Sequence, residues 1–276
     1  MAEDAEKQGY AFGTFKGVYT PSVLTIFGVI MYLRFGWVLG NVGLPGTLLI
    51  VTIATSITFL TGLSISAMAT NMKVGVGGAY YIISRSLGLE AGVAIGLPLF
   101  FARAFGVAFY IAGFTEAVMA MLGMDPAASV MTAKLISAGT LILLTALAYI
   151  SADLALKVQF FIFMAIGASL VSLFMGNPAL TDLAVTEGTL IPPKASFWVV
   201  FAVFFPAVTG IEAGLGLSGD LKNPAKSLPL GTLAAVVTGY IVYMALPVFL
   251  SAKVHNPDIL LVDLNIMTSV ARWGVL

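Results

Sequence analysis

Apolar and polar positions along this chain fall in long blocks rather than at short periods. No charged residue stands between Arg34 and Lys73, between Lys134 and Asp153, between Lys157 and Asp182, or between Lys226 and Lys253. A helix needs about 20 predominantly apolar residues to cross the hydrocarbon core of a bilayer. The blocks predict seven such helices, at 18–40, 45–69, 91–122, 135–150, 158–175, 197–218 and 229–251. None alternates with the period of two that a barrel strand requires. Between the second and third blocks, Gly75, Gly77, Gly78 and Gly88 interrupt regular structure, and 80–86 reads as a short amphipathic helix at the membrane surface. No strand precedes these glycines and no Gly-Lys-Ser/Thr follows, so they form an elbow or gate rather than a phosphate loop. A second short amphipathic piece is expected at 259–271.

Composition sharpens this picture. Of 276 residues, 13 are basic and 13 acidic, 9% are charged and 59% hydrophobic, with a mean hydropathy of +1.03. A soluble domain carries about 25% charged residues. A soluble enzyme, a nucleic-acid binder and a disordered tail are therefore excluded together. With no cysteine and the single histidine His255, there is no disulfide framework, thiol nucleophile or histidine-rich metal cluster. The acidic and basic side chains in the spans are too scattered for a hydrolase, so no enzyme activity and no cofactor are expected.

Positive residues set the orientation. Lys7, Lys16, Lys73, Arg85, Lys157, Lys222 and Lys226 fall on the side of the N-terminus, while Lys134, Lys194, Lys253 and Arg272 fall opposite. The excess places the N-terminus in the cytoplasm of a multi-pass cell-membrane protein. Residues 1–17 read as a short cytosolic tail, 18–252 as the transmembrane domain and 253–276 as an extracytoplasmic loop segment. The outer connection at 177–195, with Asp182, Glu187, Pro192 and Pro193, reads as solvated linker.

Two of the helices carry breaking residues at membrane depth. Gly28 sits inside the first, and Pro206, Gly210, Gly214 and Gly216 inside the sixth. Proline removes a backbone donor and clashes with the preceding turn, and an interior glycine costs about 1 kcal/mol. Irregular backbone inside a membrane is tolerated only where it is buried in protein or lines a cavity. For one glycine the alternative is close helix packing, as at Gly92 and Gly96. Breaks in corresponding positions of two halves point instead to a secondary-transporter site. A break is bipolar. The half-helix that starts there offers free N–H groups to an anion, and the one that ends there offers carbonyls to a cation. Gly28, Val29 and Ile30, and again Gly210, Ile211 and Glu212, are candidate N–H donors. Carbonyls of Ile26 and Pro206 with hydroxyls of Thr25, Thr209 and Tyr110 are candidate cation ligands, for a site holding paired small ions.

At these residues the chain resembles the cation–chloride cotransporter family of the amino acid–polyamine–organocation superfamily. The matching pieces are GVYTPSVLTIFGVIMYLRFGWVLG at 17–40, LTGLSISAMATN at 60–71, GGAYYIISRSLG at 77–88, FYIAGFTEAV at 109–118 and FFPAVTGIEAGLGLSGDLKNPAKSLPLGT at 204–232. The resemblance implies an all-α membrane protein of inverted five-helix repeats (5+5), with helices 1 and 6 broken, that couples chloride to potassium. It carries a potassium site to Thr25, Ile26, Tyr110, Pro206 and Thr209. A first chloride site falls on Gly28, Val29 and Ile30, and a second on Gly210, Ile211 and Glu212. The family usually has asparagine where Thr25 stands, and leucine or methionine where Glu212 stands. Phe27 is similar to the potassium–chloride branch. Animal members carry long cytosolic termini and a glycosylated outer loop, and by lacking both this chain reads as a prokaryotic-type relative. Family members have at least ten core helices, with sodium ligands largely on the eighth, so it also reads as lacking the last spans. The implied partners are potassium, chloride and the lipid bilayer, with a homodimer as the candidate assembly.

Two other functions compete. An amino-acid permease of the same superfamily keeps small residues beside the first break, and bulky Phe27 argues for a smaller ligand. A seven-span receptor or retinal protein shares only the helix count; a retinal protein needs a lysine within its seventh span, and 229–251 has none.

Overall fold

A computed structural model describes residues 12–72, 74–125, 128–150, 152–176, 191–254 and 256–274. The tail 1–11, residues 177–190 of the connection at 177–195, and His255 lie outside the described residues. Helices account for nearly all regular structure: α1 (Thr20–Ile26), α2 (Val29–Leu33), α3 (Phe35–Asn71), α4 (Gly78–Leu87), α5 (Leu89–Met121), α6 (Val130–Ile150), α7 (Ala152–Met175), α8 (Phe197–Phe204), α9 (Glu212–Gly216), α10 (Pro224–Lys253), α11 (Ile259–Val262) and α12 (Ile266–Val270). A π-helical turn, Phe15–Tyr19, leads into α1.

Among the described residues, six helical stretches are long and apolar enough to cross a membrane. The chain is an all-α, multi-pass membrane protein. The sixth predicted span, 197–218, is not among the six because it is not one helix. It runs as α8, a 3-10 turn at Phe205–Val208, a turn through Gly210, and α9. The first span is also interrupted, at Phe27 and Gly28. Its continuation is merged into α3, which Gly43 divides with φ +67°, a conformation that suits glycine. The predicted surface helix at 80–86 is α4, and Gly77, Gly78 and Gly88 all take positive φ around it. The amphipathic piece at 259–271 resolves into α11 and α12.

The chain forms two compact units. One comprises Met1–Ile82 with Ile162–Leu276, the other Ile83–Phe161. In the second, α5 and α6 are joined by a hydrogen bond of 2.8 Å between the Thr115 and Ser137 hydroxyls. In the first, α3 and α10 pack along their length. One face of α10 carries Gly231, Ala235, Gly239 and Tyr243 at spacings of four, which places them in a row on a helix. The row lets α1 and the π-helical turn ahead of it approach closely. A Cβ at Gly231 would stand 2.6 Å from Val18, and one at Gly239 would stand 2.9 Å from Ile26.

Buried and half-buried polar groups fix the remaining elements of this unit. Asn41 donates to the Trp37 carbonyl, and its Oδ1 accepts from Ala195 N–H at 2.6 Å, tethering the chain ahead of α8. Tyr32 on α2 and Ser169 on α7 share a hydroxyl hydrogen bond of 2.6 Å. The segment holding α11 and α12 packs on 36–40, where Gly36 meets Ile266 and Gly40 meets Leu260. Residues 12–17 are not a loose extension. Phe12 N–H donates to Asp220 O at 3.1 Å, and its carbonyl accepts from Lys222 N–H at 2.9 Å.

Candidate functional site: two broken helices in contact

The two interruptions anticipated from glycine and proline meet in space. Gly210 is buried, and a Cβ built there would stand 2.7 Å from Thr25 Cβ and 2.9 Å from Ile26 N. Only a residue without a side chain lets the second break seat on the end of α1. Gly214 makes a second close approach, with Val18 Cγ1 at 2.5 Å from the equivalent position. The elbow before α4 also packs on this segment. Ser218 donates to Gly75 O at 2.8 Å, and a Cβ at Gly78 would meet the Leu215 carbonyl at 3.2 Å.

At the first break α1 ends with Phe27 N–H on Val23 O at 2.8 Å, and Gly28 is extended at φ −101°, ψ −157°. The first bond of the next half-helix runs from Met31 N–H to Gly28 O at 3.1 Å. The amides of Gly28, Val29 and Ile30 therefore stand ahead of any intrahelical acceptor. The second break repeats this arrangement. Ala213 N–H donates to Gly210 O at 3.2 Å, which leaves the amides of Gly210, Ile211 and Glu212 ahead of the first bond of α9. Ile30 and Ile211 are buried, while Gly28, Val29 and Glu212 are half-buried.

The oxygen-bearing candidates divide into several kinds. Thr25 donates its hydroxyl proton to Pro21 O at 2.8 Å, and Thr209 donates to Pro206 O at 2.9 Å. A hydroxyl whose proton is committed keeps its lone pairs. The Pro206 carbonyl accepts twice, from the Thr209 hydroxyl and from Thr209 N–H at 3.3 Å. The Ile26 carbonyl accepts from the hydroxyl of Tyr243, which also lies 3.4 Å from the Ala207 carbonyl. Tyr110 belongs to the other compact unit, on α5, where it is 42% exposed and rests edge-on against Phe109. Thr25, Ile26, Pro206 and Thr209 thus come together in one unit with both sets of amides.

Tyr243 and Gly239 were missed in the sequence reading. Their signal is the four-residue spacing of small residues on the seventh apolar block, ending in a tyrosine at mid-span. Tyr243 is fully buried, stacked on Phe35 at 5.7 Å between ring centroids and edge-on to Phe27 and Phe204 at 6.0 and 5.5 Å. Such aromatic pairs add about 0.5–1.5 kcal/mol each beyond area burial. This cluster holds Phe27 inward, in the core behind the first break.

The family model described as amino acid permease matches residues 17–271. Among curated proteins, solute carrier family 12 member 3 of Mus musculus is 38% identical over 267 residues, which is 89% of this chain and 26% of the relative. Solute carrier family 12 member 1 of Homo sapiens is 34% identical over 273 residues, 91% of this chain and 25% of the relative. Member 2 of Homo sapiens is 35% identical over 291 residues, 97% of this chain and 24% of the relative. The chain spans about a quarter of the length of these relatives. The family these matches define is one of transporters. With its matched segment running from ahead of the first break to the end of α12, the chain belongs to the amino acid permease family and is homologous to the solute carrier family 12 cotransporters.

Proposed function

We propose that the protein is a secondary active transporter coupling chloride to potassium, or to another monovalent cation, through the paired breaks. The observation that carries this reading is the seating of Gly210 on Thr25 and Ile26. It puts the carbonyl end of α1 and the amide starts of α2 and α9 in one place inside an apolar unit. A cation entering such a place exchanges its hydration shell for fixed oxygens. Ile26 would supply a carbonyl, Pro206 a second once one of its two hydrogen bonds from Thr209 is released, and Thr25, Thr209 and Tyr110 hydroxyls. Chloride would lie on the amides of Gly28, Val29 and Ile30, with a second on those of Gly210, Ile211 and Glu212. Either ion alone in low dielectric carries a large desolvation cost, which a neighbouring opposite charge offsets. Coupling follows, because each ion makes the site habitable for the other. The same reading places the two breaks at the openings of inverted five-helix repeats, with the N-terminus in the cytoplasm and a homodimer as the assembly.

The test is uptake of radioactive rubidium into liposomes holding the full transporter. Uptake that stops when gluconate replaces chloride supports the reading, and chloride-independent uptake refutes it. The second reading is amino-acid transport, favoured by the description of the matching family. A substrate carboxylate would then occupy the amides of Gly28, Val29 and Ile30. Uptake of a labelled amino acid, unaffected by removal of chloride and potassium, would establish it instead.

A further inference from the structure

We infer that Tyr243 is a positioning residue for the cation site, holding the two breaks at the separation that a cation of potassium size requires. The inference rests on the proposed cation-binding role of the Ile26 carbonyl and adds to it a group from outside both broken helices.

Its basis is where the hydroxyl lies. Tyr243 sits on α10, not on either broken helix, and is fully buried. Its hydroxyl donates to Ile26 O, at the carbonyl end of α1, and reaches Ala207 O in the 3-10 turn of the second break at 3.4 Å. One proton is thus directed at the backbone of both interruptions. Its main arm falls on a carbonyl that the cation reading uses. A carbonyl oxygen accepts twice, so the hydroxyl and a cation can share it. The hydroxyl gives the Ile26 carbonyl, buried at the end of α1 and past the last intrahelical donor, a hydrogen-bond partner.

The rest of the geometry makes the hydroxyl an accurate support. Its ring is gripped by Phe27, Phe35 and Phe204, with centroids at 5.5–6.0 Å. Gly239, one turn earlier on α10, brings Ile26 into van der Waals contact with the same helix. A ring fixed on all sides leaves the hydroxyl little freedom, so it holds Ile26 O and Ala207 O at set positions. Fixed ligand spacing is what lets a site discriminate between cations of different radius. A buried tyrosine needs a partner for its hydroxyl in any case; what sets Tyr243 apart is that the carbonyls within its reach belong to the two breaks.

The experiment is a thermal-unfolding titration of the purified full chain with rubidium, potassium and caesium chlorides, with choline chloride as control. It compares the native protein with Tyr243→Phe, which removes one oxygen and keeps the ring. The expected result is an apparent rubidium affinity weakened about fivefold to tenfold, the worth of one well-made hydrogen bond. Discrimination against caesium should be reduced, and Tyr243→4-aminophenylalanine, which restores an N–H donor, should recover both. A lower unfolding temperature with unchanged ion midpoints and selectivity would make Tyr243 a core residue only and overturn the inference while leaving the proposed function intact. If the native protein responds to no monovalent cation, the proposed cation site fails and takes this inference with it. Should Tyr243→Phe not fold, Tyr243→3-fluorotyrosine alters the strength of the donor without deleting it; a shifted rubidium midpoint then supports the inference, and an unshifted one overturns it.

Discussion

Gly210→Ala is the sharpest perturbation the structure offers. The added Cβ would lie 2.7 Å from Thr25 Cβ, 2.9 Å from Ile26 N and 3.0 Å from Thr25 C, where ordinary contact begins at 3.4 Å. Two of these three neighbours are backbone atoms at the end of α1, so no side-chain rotation relieves them. The second break must therefore retreat from the first by about 0.7 Å, and overpacking of this kind costs about 1–3 kcal/mol. The retreat also moves the Thr209 and Pro206 oxygens away from Thr25 and Ile26. Displacement of about 1 Å in a preorganised site can cost about a hundredfold in its function. The matched control is Gly139→Ala, in the interior of α6, where a Cβ meets nothing within 4 Å. That change should be neutral or slightly stabilising, since alanine is the better helix former by about 0.5–1 kcal/mol. Chloride-dependent rubidium uptake and ion-dependent thermal stabilisation, measured side by side, should fall at least tenfold in Gly210→Ala and stay near the native value in Gly139→Ala. Equal behaviour of the two variants would refute the claim that close approach of the breaks builds the site.

Three further changes test individual ligands. Thr209→Val keeps the shape and removes an exposed oxygen whose proton is already given to Pro206; rubidium affinity should fall about tenfold with little effect on unfolding temperature, and an unchanged rubidium titration would strike Thr209 from the site. Tyr110→Phe should weaken rubidium uptake strongly while leaving the fold intact, because the hydroxyl is on a side chain already 42% exposed; unchanged uptake would remove Tyr110 from the cation ligands. Glu212→Leu takes a carboxylate away from the start of α9, where a bound chloride would meet like charge; apparent chloride affinity should change, and identical chloride titrations for the two proteins would exclude Glu212 from the mechanism.

The breaks were legible in the sequence because backbone chemistry announces them locally. Pro206 has no N–H to give, and Gly28 and Gly210 carry no Cβ, so an apolar block long enough to span the membrane contains its own stopping points. The elbow at Gly75–Gly78 was legible for the same reason, as was the short helix that follows it. What the sequence did not disclose was the pairing. That Gly210 seats on Thr25 and Ile26 depends on where α10 places α1, and that depends on Gly231, Gly239 and Tyr243, separated from α1 by about 200 residues. Small residues at four-residue spacing signal a close-packing face but not the partner that lies on it. A mid-span tyrosine in isolation reads as core, and Tyr243 is core by burial. Its distinguishing property is the direction of one O–H bond, which exists only once three helices have met. Residues that make a break are therefore readable one helix at a time, whereas residues that hold two breaks in register must be sought on the helix both of them rest against.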